Sequence, residues 1–170
     1  MVSNNQVNSR EEMQMLIFSL ESVIYGVNVS QVREVKNFES VTPVPYAPAY
    51  VRGVTNLRGE VIPVIDLRKR FGMVSEKNEN TNIMIIVQDK HPVGIMVDSV
   101  MEVLTLAKND IESNPDSLIY DKSEAVLGVA KHDKEIIILL DLLKVISKDA
   151  LTMKEDSMGF QIQVQNQPQQ

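Results

Sequence analysis

Residues 53–71 read GVTNLRGEVIPVIDLRKRF, and residues 128–146 read GVAKHDKEIIILLDLLKVI. Set at a constant offset of 75, with no gap, the two strings agree at Gly53/Gly128, Val54/Val129, Glu60/Glu135, Ile62/Ile137, Asp66/Asp141, Leu67/Leu142 and Lys69/Lys144. A second pair lies upstream at a constant offset of 68. GVNVSQVREV (26–35) and GIMVDSVMEV (94–103) agree at Gly26/Gly94, Val29/Val97, Val32/Val100, Glu34/Glu102 and Val35/Val103. The order of the two segments is the same in both halves. The chain is therefore an internal duplication, and a repeat sets the architecture before any local reading does. The seven additional residues of the second copy (75 − 68 = 7) fall between its matched segments, in 104–127.

A repeat of about 70 residues is near the lower limit for an independent core, so the two lobes are expected to share an interface. We place lobes at approximately 13–80 and 81–148, with strand exchange between them allowed. A flexible segment is expected at 1–12 and a Gln-rich flexible tail at 149–170. The tail holds too little apolar sequence to offset the entropy of ordering it. The net charge of −6 and pI near 5.0 argue against a general binder of nucleic acid or anionic membranes. The chain has no cysteine, which excludes a disulfide framework and a thiolate metal site. No secretory leader and no membrane-spanning apolar run is read in the sequence, and a reducing, cytoplasmic location is the simplest expectation.

Short apolar stretches at 13–20, 23–29, 54–57, 61–65, 82–88, 93–97, 126–130 and 135–140 predict strands, with 100–106 alternating as a further one. Ser30 is expected to cap a short helix running to Val35. Pro43, Pro45 and Pro48 make 37–50 a loop with an extended edge. Arg58-Gly59-Glu60 predicts a tight turn in which Gly59 supplies positive φ. Asp66 and Asp141 each begin a short helix. Few helices and about ten short strands predict a mainly β protein of two small five-stranded barrels, not a parallel α/β sheet.

No catalytic constellation is present. The histidines, His91 and His132, have no metal-ligand spacing, and no phosphate-binding or nucleophile motif occurs. No metal or organic cofactor and no enzymatic activity are expected. Asp66 and Asp141 could be paired carboxylates, but their equivalent helix-start positions are explained by capping.

The copies differ at one turn. Asn56-Leu57-Arg58-Gly59 stands where the second copy has Lys131-His132-Asp133-Lys134. Turns drift, which is one explanation; the other is that Arg58, beside an exposed Leu57, offers its fork of donors to a partner. Arg52, Arg58, Arg68, Lys69 and Arg70 also cluster in an acidic chain; for Arg68-Lys69-Arg70 a solvated helix face is the simpler reading. They define an alternative, an oligonucleotide-binding barrel, although base stacking on such barrels needs aromatics and only 5% of the residues are aromatic. Leu16, Val29, Val32 and Val35 are either core or an exposed patch at a barrel end.

The stretch VRGVTNLRGEVIPVIDLRKRFG (51–72), with GIMVDSVMEVL and GVAKHDKEIIILLDLLKVI, resembles the CheW family of bacterial chemotaxis coupling proteins. The resemblance runs from about Met13 to Ser147. The same fold occurs as the regulatory domain of the CheA kinase and at the start of CheV. The resemblance implies two pseudo-symmetric SH3-like five-stranded barrels around a shared apolar interface. It implies a non-enzymatic adaptor joining the cytoplasmic tips of methyl-accepting chemoreceptors to the regulatory domain of the histidine kinase CheA, recruited to membrane receptor arrays without inserting in the membrane. Arg58 matches a receptor-contacting position. Val54, Asn56 and Val103 are expected to line the same groove between lobes. Leu16, Val29 and Val32 match the kinase-facing surface, with Glu34 beside it.

Overall fold

A computed structural model describes residues 11–74, 81–113 and 125–146. The expected flexible tail at 149–170 and residues 1–10 of the expected N-terminal segment lie outside the described residues. Eleven strands are present among the described residues: β1 (Glu12–Leu20), β2 (Val23–Asn28), β3 (Val32–Asn37), β4 (Val51–Leu57), β5 (Glu60–Asp66), β6 (Asn82–Gln88), β7 (His91–Val97), β8 (Ser99–Ala107), β9 (Ile111–Glu112), β10 (Val126–His132) and β11 (Glu135–Leu140). A short helix α1 (Leu67–Arg70) follows β5, and residues 142–146 are helical after β11.

The strands form two sheets, β8-β1-β2-β11-β10-β9 and β3-β6-β7-β5-β4, called here the first and second sheets. Neither sheet is one half of the chain. The hairpin β1–β2 leaves the first half to pair with β8 and β11, and β6–β7 leaves the second half to pair with β3 and β5. Each swapped hairpin is held by an equivalent parallel contact. β2 runs beside β11 with Gly26 opposite Leu139, and β7 runs beside β5 with Gly94 opposite Val64. The offsets of 68 and 75 convert one pair into the other (26 + 68 = 94; 64 + 75 = 139). A cut at residues 80/81 therefore does not separate the two sheets.

The bulges are duplicated as well. Register shifts between Val51 and Gly53 and again between Val126 and Gly128. It shifts between Val32 and Glu34, and at the equivalent place opposite Ile17/Phe18, where Met101 is the extra residue. A bulge bends its strand and increases local twist, so both sheets curve at the same points. Hydrogen bonding does not close either sheet into the continuous barrel expected; the chain does so instead. β8 passes through a 3₁₀ turn, Lys108–Asp110, into β9, which pairs with β10 at the opposite edge. In the second sheet the segment after β3 returns to the opposite edge through a bridge of Thr42 with Val54.

That return explains two of the shared glycines. A Cβ on Gly53 would lie 2.1 Å from the Thr42 carbonyl oxygen, and one on Gly128 would lie 2.5 Å from that of Glu112. Only a residue without a side chain lets the closing segment cross so near.

Side-chain parity then divides the apolar residues among three cores. Met15 and Ile17 of β1 point into the first sheet with Leu106, Ala130, Ile137 and Leu139. Ile83 and Ile85 of β6 point into the second with Leu57, Ile62 and Val64. The alternate residues, Leu16, Phe18 and Leu20 from β1 and Met84 and Ile86 from β6, meet in a core shared between the sheets. The expected common interface is thus the largest apolar cluster.

Local expectations fail in four places. The helix expected from Ser30 to Val35 is only a 3₁₀ turn, Val29–Gln31, capped by Asn28; Val32 onward is strand because β6 supplies a ladder. Glu12, assigned to the N-terminal segment, already belongs to β1, and Glu11 pairs with Lys108 at 2.7 Å. Leu57 is buried, not exposed, because it faces inward from β4. Arg68, read as part of a solvated helix face, is buried beside Asp98.

Candidate functional site

The β4–β5 hairpin turns on two residues, Arg58 (φ 50°) and Gly59 (φ 86°). Positive φ at both central positions is the pattern that matches the twist of paired strands. For an arginine it is sterically unfavourable, so something must hold it. Asn56 does so: its Oδ1 accepts the Gly59 N–H at 2.9 Å. The side chain of Asn56 is thus part of the device that projects Arg58.

The Arg58 side chain is 70% exposed, yet it is not free. Its Nη1 donates to Glu34 Oε2 at 2.8 Å and its Nη2 to Oε1 at 3.3 Å. The fork-to-carboxylate geometry fixes orientation as well as charge. Glu34 lies on β3 and Arg58 at the end of β4, which are opposite edges of the second sheet. The pair therefore straddles the seam where that sheet curls on itself. In the first sheet the equivalent positions are Glu102 and Asp133, both acidic, on a turn with the same positive φ at Asp133 and Lys134.

The remaining candidate residues separate into three groups. Val54, half-buried, makes both backbone bonds of the Thr42 bridge at 2.8 Å and shares the β4 edge with Asn56 and Arg58. Val103 is exposed, but on β8, the edge of the other sheet. Val29 and Val32 are half-buried and pack against the shared core, while Leu16 is 8% exposed within it, so for Leu16 the core reading holds. Glu34, grouped with the kinase-facing residues, instead touches Arg58, grouped with the receptor-facing ones.

The basic cluster does not form one cationic surface. Arg68 donates through Nε and Nη2 to the two carboxylate oxygens of Asp98, and through Nη1 to the Val74 carbonyl at 3.1 Å. Arg70 lies over the Tyr50 ring, 5.6 Å from its centroid, and Arg58 is committed to Glu34. Asp66 accepts the Lys69 N–H and Asp141 the Lys144 N–H, each at 3.3 Å, so both carboxylates cap helix starts. Among the described residues no group of three or more His, Asp or Glu is placed to hold a metal, and no helix is long and apolar enough to cross a membrane.

Asp98 was not singled out from the sequence, although a signal existed. In the repeat alignment Asp98 stands opposite Ser30 and Arg68 opposite Leu143, so one copy gains opposite charges at two positions. The other copy uses Gln31, whose Nε2 donates to Asp141 Oδ1 at 2.9 Å while its Oε1 accepts the Leu142 N–H at 3.2 Å.

The described residues thus form a duplicated pair of SH3-like sheets with a shared core and dissimilar edges. The comparisons with known proteins make this specific. The model of the CheW-like domain matches residues 14–150. A chemotaxis protein CheW from Klebsiella aerogenes is 31% identical over 144 residues, covering 84% of this chain and 87% of that protein. The Bacillus subtilis CheW is 33% identical, covering 80% and 88%. The crystal structure of the scaffolding protein TtCheW from Thermoanaerobacter tengcongensis superposes with a TM-score of 0.71 at 36% identity, covering 77% of this chain and 90% of that one. The chain belongs to the CheW family.

Proposed function

We propose that this chain is a cytoplasmic adaptor that couples the helical tips of chemoreceptors to the regulatory domain of the histidine kinase CheA within signalling arrays. An adaptor needs no chemistry. It needs two surfaces on one rigid body, so that binding one partner sets the geometry of the other. Arg58, Asn56 and Val54, contiguous on β4 and its turn, make the receptor-facing surface, with Val103 contributing from the other sheet. Val29, Val32 and Glu34 make the kinase-facing surface.

The observation that carries this reading is the Arg58–Glu34 pair. It makes the two surfaces adjoin. A receptor carboxylate or carbonyl that takes the Arg58 fork loosens Glu34 on the strand next to the kinase, so occupancy of one surface is felt at the other. Receptor tips fit as helices laid in a groove. Many weak contacts of this kind raise avidity when repeated across an array.

Calorimetric titration against a receptor cytoplasmic fragment and, separately, against the kinase regulatory domain tests the reading. Arg58→Ala is expected to weaken receptor binding by about 1–3 kcal/mol, the scale of a charge-assisted hydrogen bond. Asp133→Ala is expected to leave it unchanged. Binding of neither partner by the unaltered protein defeats the adaptor reading; equal losses for the two variants remove Arg58 from the receptor surface.

A further inference from the structure

A cleft of about 390 Å³ opens where the two sheets meet. Its wall is apolar: Tyr25, Phe71, Val126, Ile138 and Val145 line it, with Arg70 as the charged group among them. Tyr25 and Phe71 stand 5.7 Å apart, centroid to centroid, with their planes tilted by 40°. The volume falls in the range of about 300–1,000 Å³ typical of ligand sites. None of the receptor- or kinase-facing residues lines it.

The chain itself holds a suitable occupant. Val145 in the cleft wall is followed by Ile146 and then by 24 further residues of the sequence (170 − 146 = 24). Within them 151–160 reads LTMKEDSMGF: Leu151 and Met153, then Lys154 followed by the acids Glu155 and Asp156, a net negative charge, then Met158 and Phe160. We propose that this C-terminal segment of the same chain docks in the cleft, with Phe160 against the Tyr25 and Phe71 rings and Glu155-Asp156 facing Arg70.

Three considerations support this occupant. The tether from Ile146 to Phe160 is 14 residues, and a chain of that length without fixed structure spans roughly 20 Å on average, which puts the cleft within reach of Phe160. Such a tether gives an effective concentration in the millimolar range, enough for a contact too weak to form between separate molecules. The chemistry also matches. A further ring would extend an existing aromatic row, in which Tyr25 stacks on Phe18 at 5.6 Å and tilts against Phe71, an arrangement rings favour, and the segment's acids oppose the wall's cation.

The absence of cysteine allows a direct test on the full chain. A nitroxide is attached at Gln163→Cys, just past the proposed anchor, and methyl resonances of the described residues are followed. The expected result is strong paramagnetic broadening of Val126, Ile138 and Val145, with Val61 and Val64 of the second sheet unaffected. Adding Phe160→Ser to the labelled chain should reduce that broadening at least severalfold. Absent or uniform broadening overturns the proposal, as does broadening that persists with Phe160→Ser. Mixing spin-labelled chain with isotope-labelled, spin-free chain separates self-docking from exchange: broadening in the spin-free molecules would assign the cleft to a second copy and overturn the intramolecular form.

Discussion

The two sheets share a backbone and differ at their rims. The bulge residue of β3 is Arg33; its counterpart on β8 is Met101, an exposed methionine. The bulge residue of β4 is Arg52; on β10 it is Leu127, also exposed. Arg58 at the hairpin tip becomes Asp133. Three arginines on one sheet thus stand opposite two apolar residues and an acid on the other. Yet Val61 and Ile136, at equivalent places on β5 and β11, are both exposed, at 66% and 59%. Duplication preserved what the fold requires and left the rims free to diverge. A protein that must distinguish partners while keeping one frame is served by that division, because specificity is a difference in affinity between surfaces.

The strongest test of the shared frame is at its glycines. Gly53→Ala places a Cβ 2.1 Å from the Thr42 oxygen at a φ of +147°, so backbone clash and conformational strain act together. A loss of about 5 kcal/mol is expected, in the exceptional range for one substitution. Gly128→Ala meets the Glu112 oxygen at 2.5 Å without the positive φ, and about 2–4 kcal/mol is expected. Urea unfolding of both variants gives the order. If Gly128→Ala is the more damaging, closure by β9 is more rigid than closure by the Thr42 bridge, and the sheets are less alike than their register suggests.

The next comparison is between the two clasps behind the helices. Arg68–Asp98 is buried and ionic, and Asp98 also accepts the Glu21 N–H at 2.6 Å. Asp98→Ala takes from the buried Arg68 guanidinium its two-point carboxylate and leaves the 3.7 Å contact to Glu21, at an expected cost of about 3 kcal/mol, the lower end for a broken buried pair. Gln31→Ala removes a hydrogen bond to the Asp141 carboxylate and one from the Leu142 N–H at a partly buried site, with no ion pair broken, and about 1–2 kcal/mol is expected. Equal costs, read from thermal unfolding, would mean that solvent reaches Asp98 in solution.

The frame was legible in the sequence because the physics that shaped it acts on local pattern. Glycine pairs, alternating apolar strands and capping aspartates recur in both copies and mean the same thing twice. What the sequence hides is long-range. Arg68 reads as a solvated cation because Asp98 is 30 residues away. Leu57 reads as exposed beside a polar turn, but strand parity turns it inward with Ile62. Ser30–Val35 has a helix-like start, and tertiary pairing with β6 overrides it. Most consequential is Arg58. The repeat singled it out, whereas its partner Glu34 sits at a position conserved between the copies (Glu34/Glu102) and on the opposite edge of the sheet. Only the curl of that sheet brings them together.

The smallest effect is the most discriminating for the rims. Since Arg58 and Asp133 share positive φ and a turn of the same length, Asp133→Arg should build in the first sheet the ion pair that the second already has, with Glu102 as acceptor. An exposed pair is worth only about 0.2–1 kcal/mol. Any gain should fall within that range. It should shrink on raising salt, because the Debye length falls from about 10 Å at 0.1 M to about 3 Å at 1 M. The reciprocal change, Arg58→Asp, should lose a similar amount, with the same salt dependence. A double-mutant cycle of Arg58→Ala with Glu34→Ala supplies the reference coupling. If Asp133→Arg gives no gain at low salt while that cycle shows coupling, the first sheet's edges stand too far apart at their tips. The ion pair would then be a property of one seam, and a reason why only one sheet carries the arginine proposed to face the receptor.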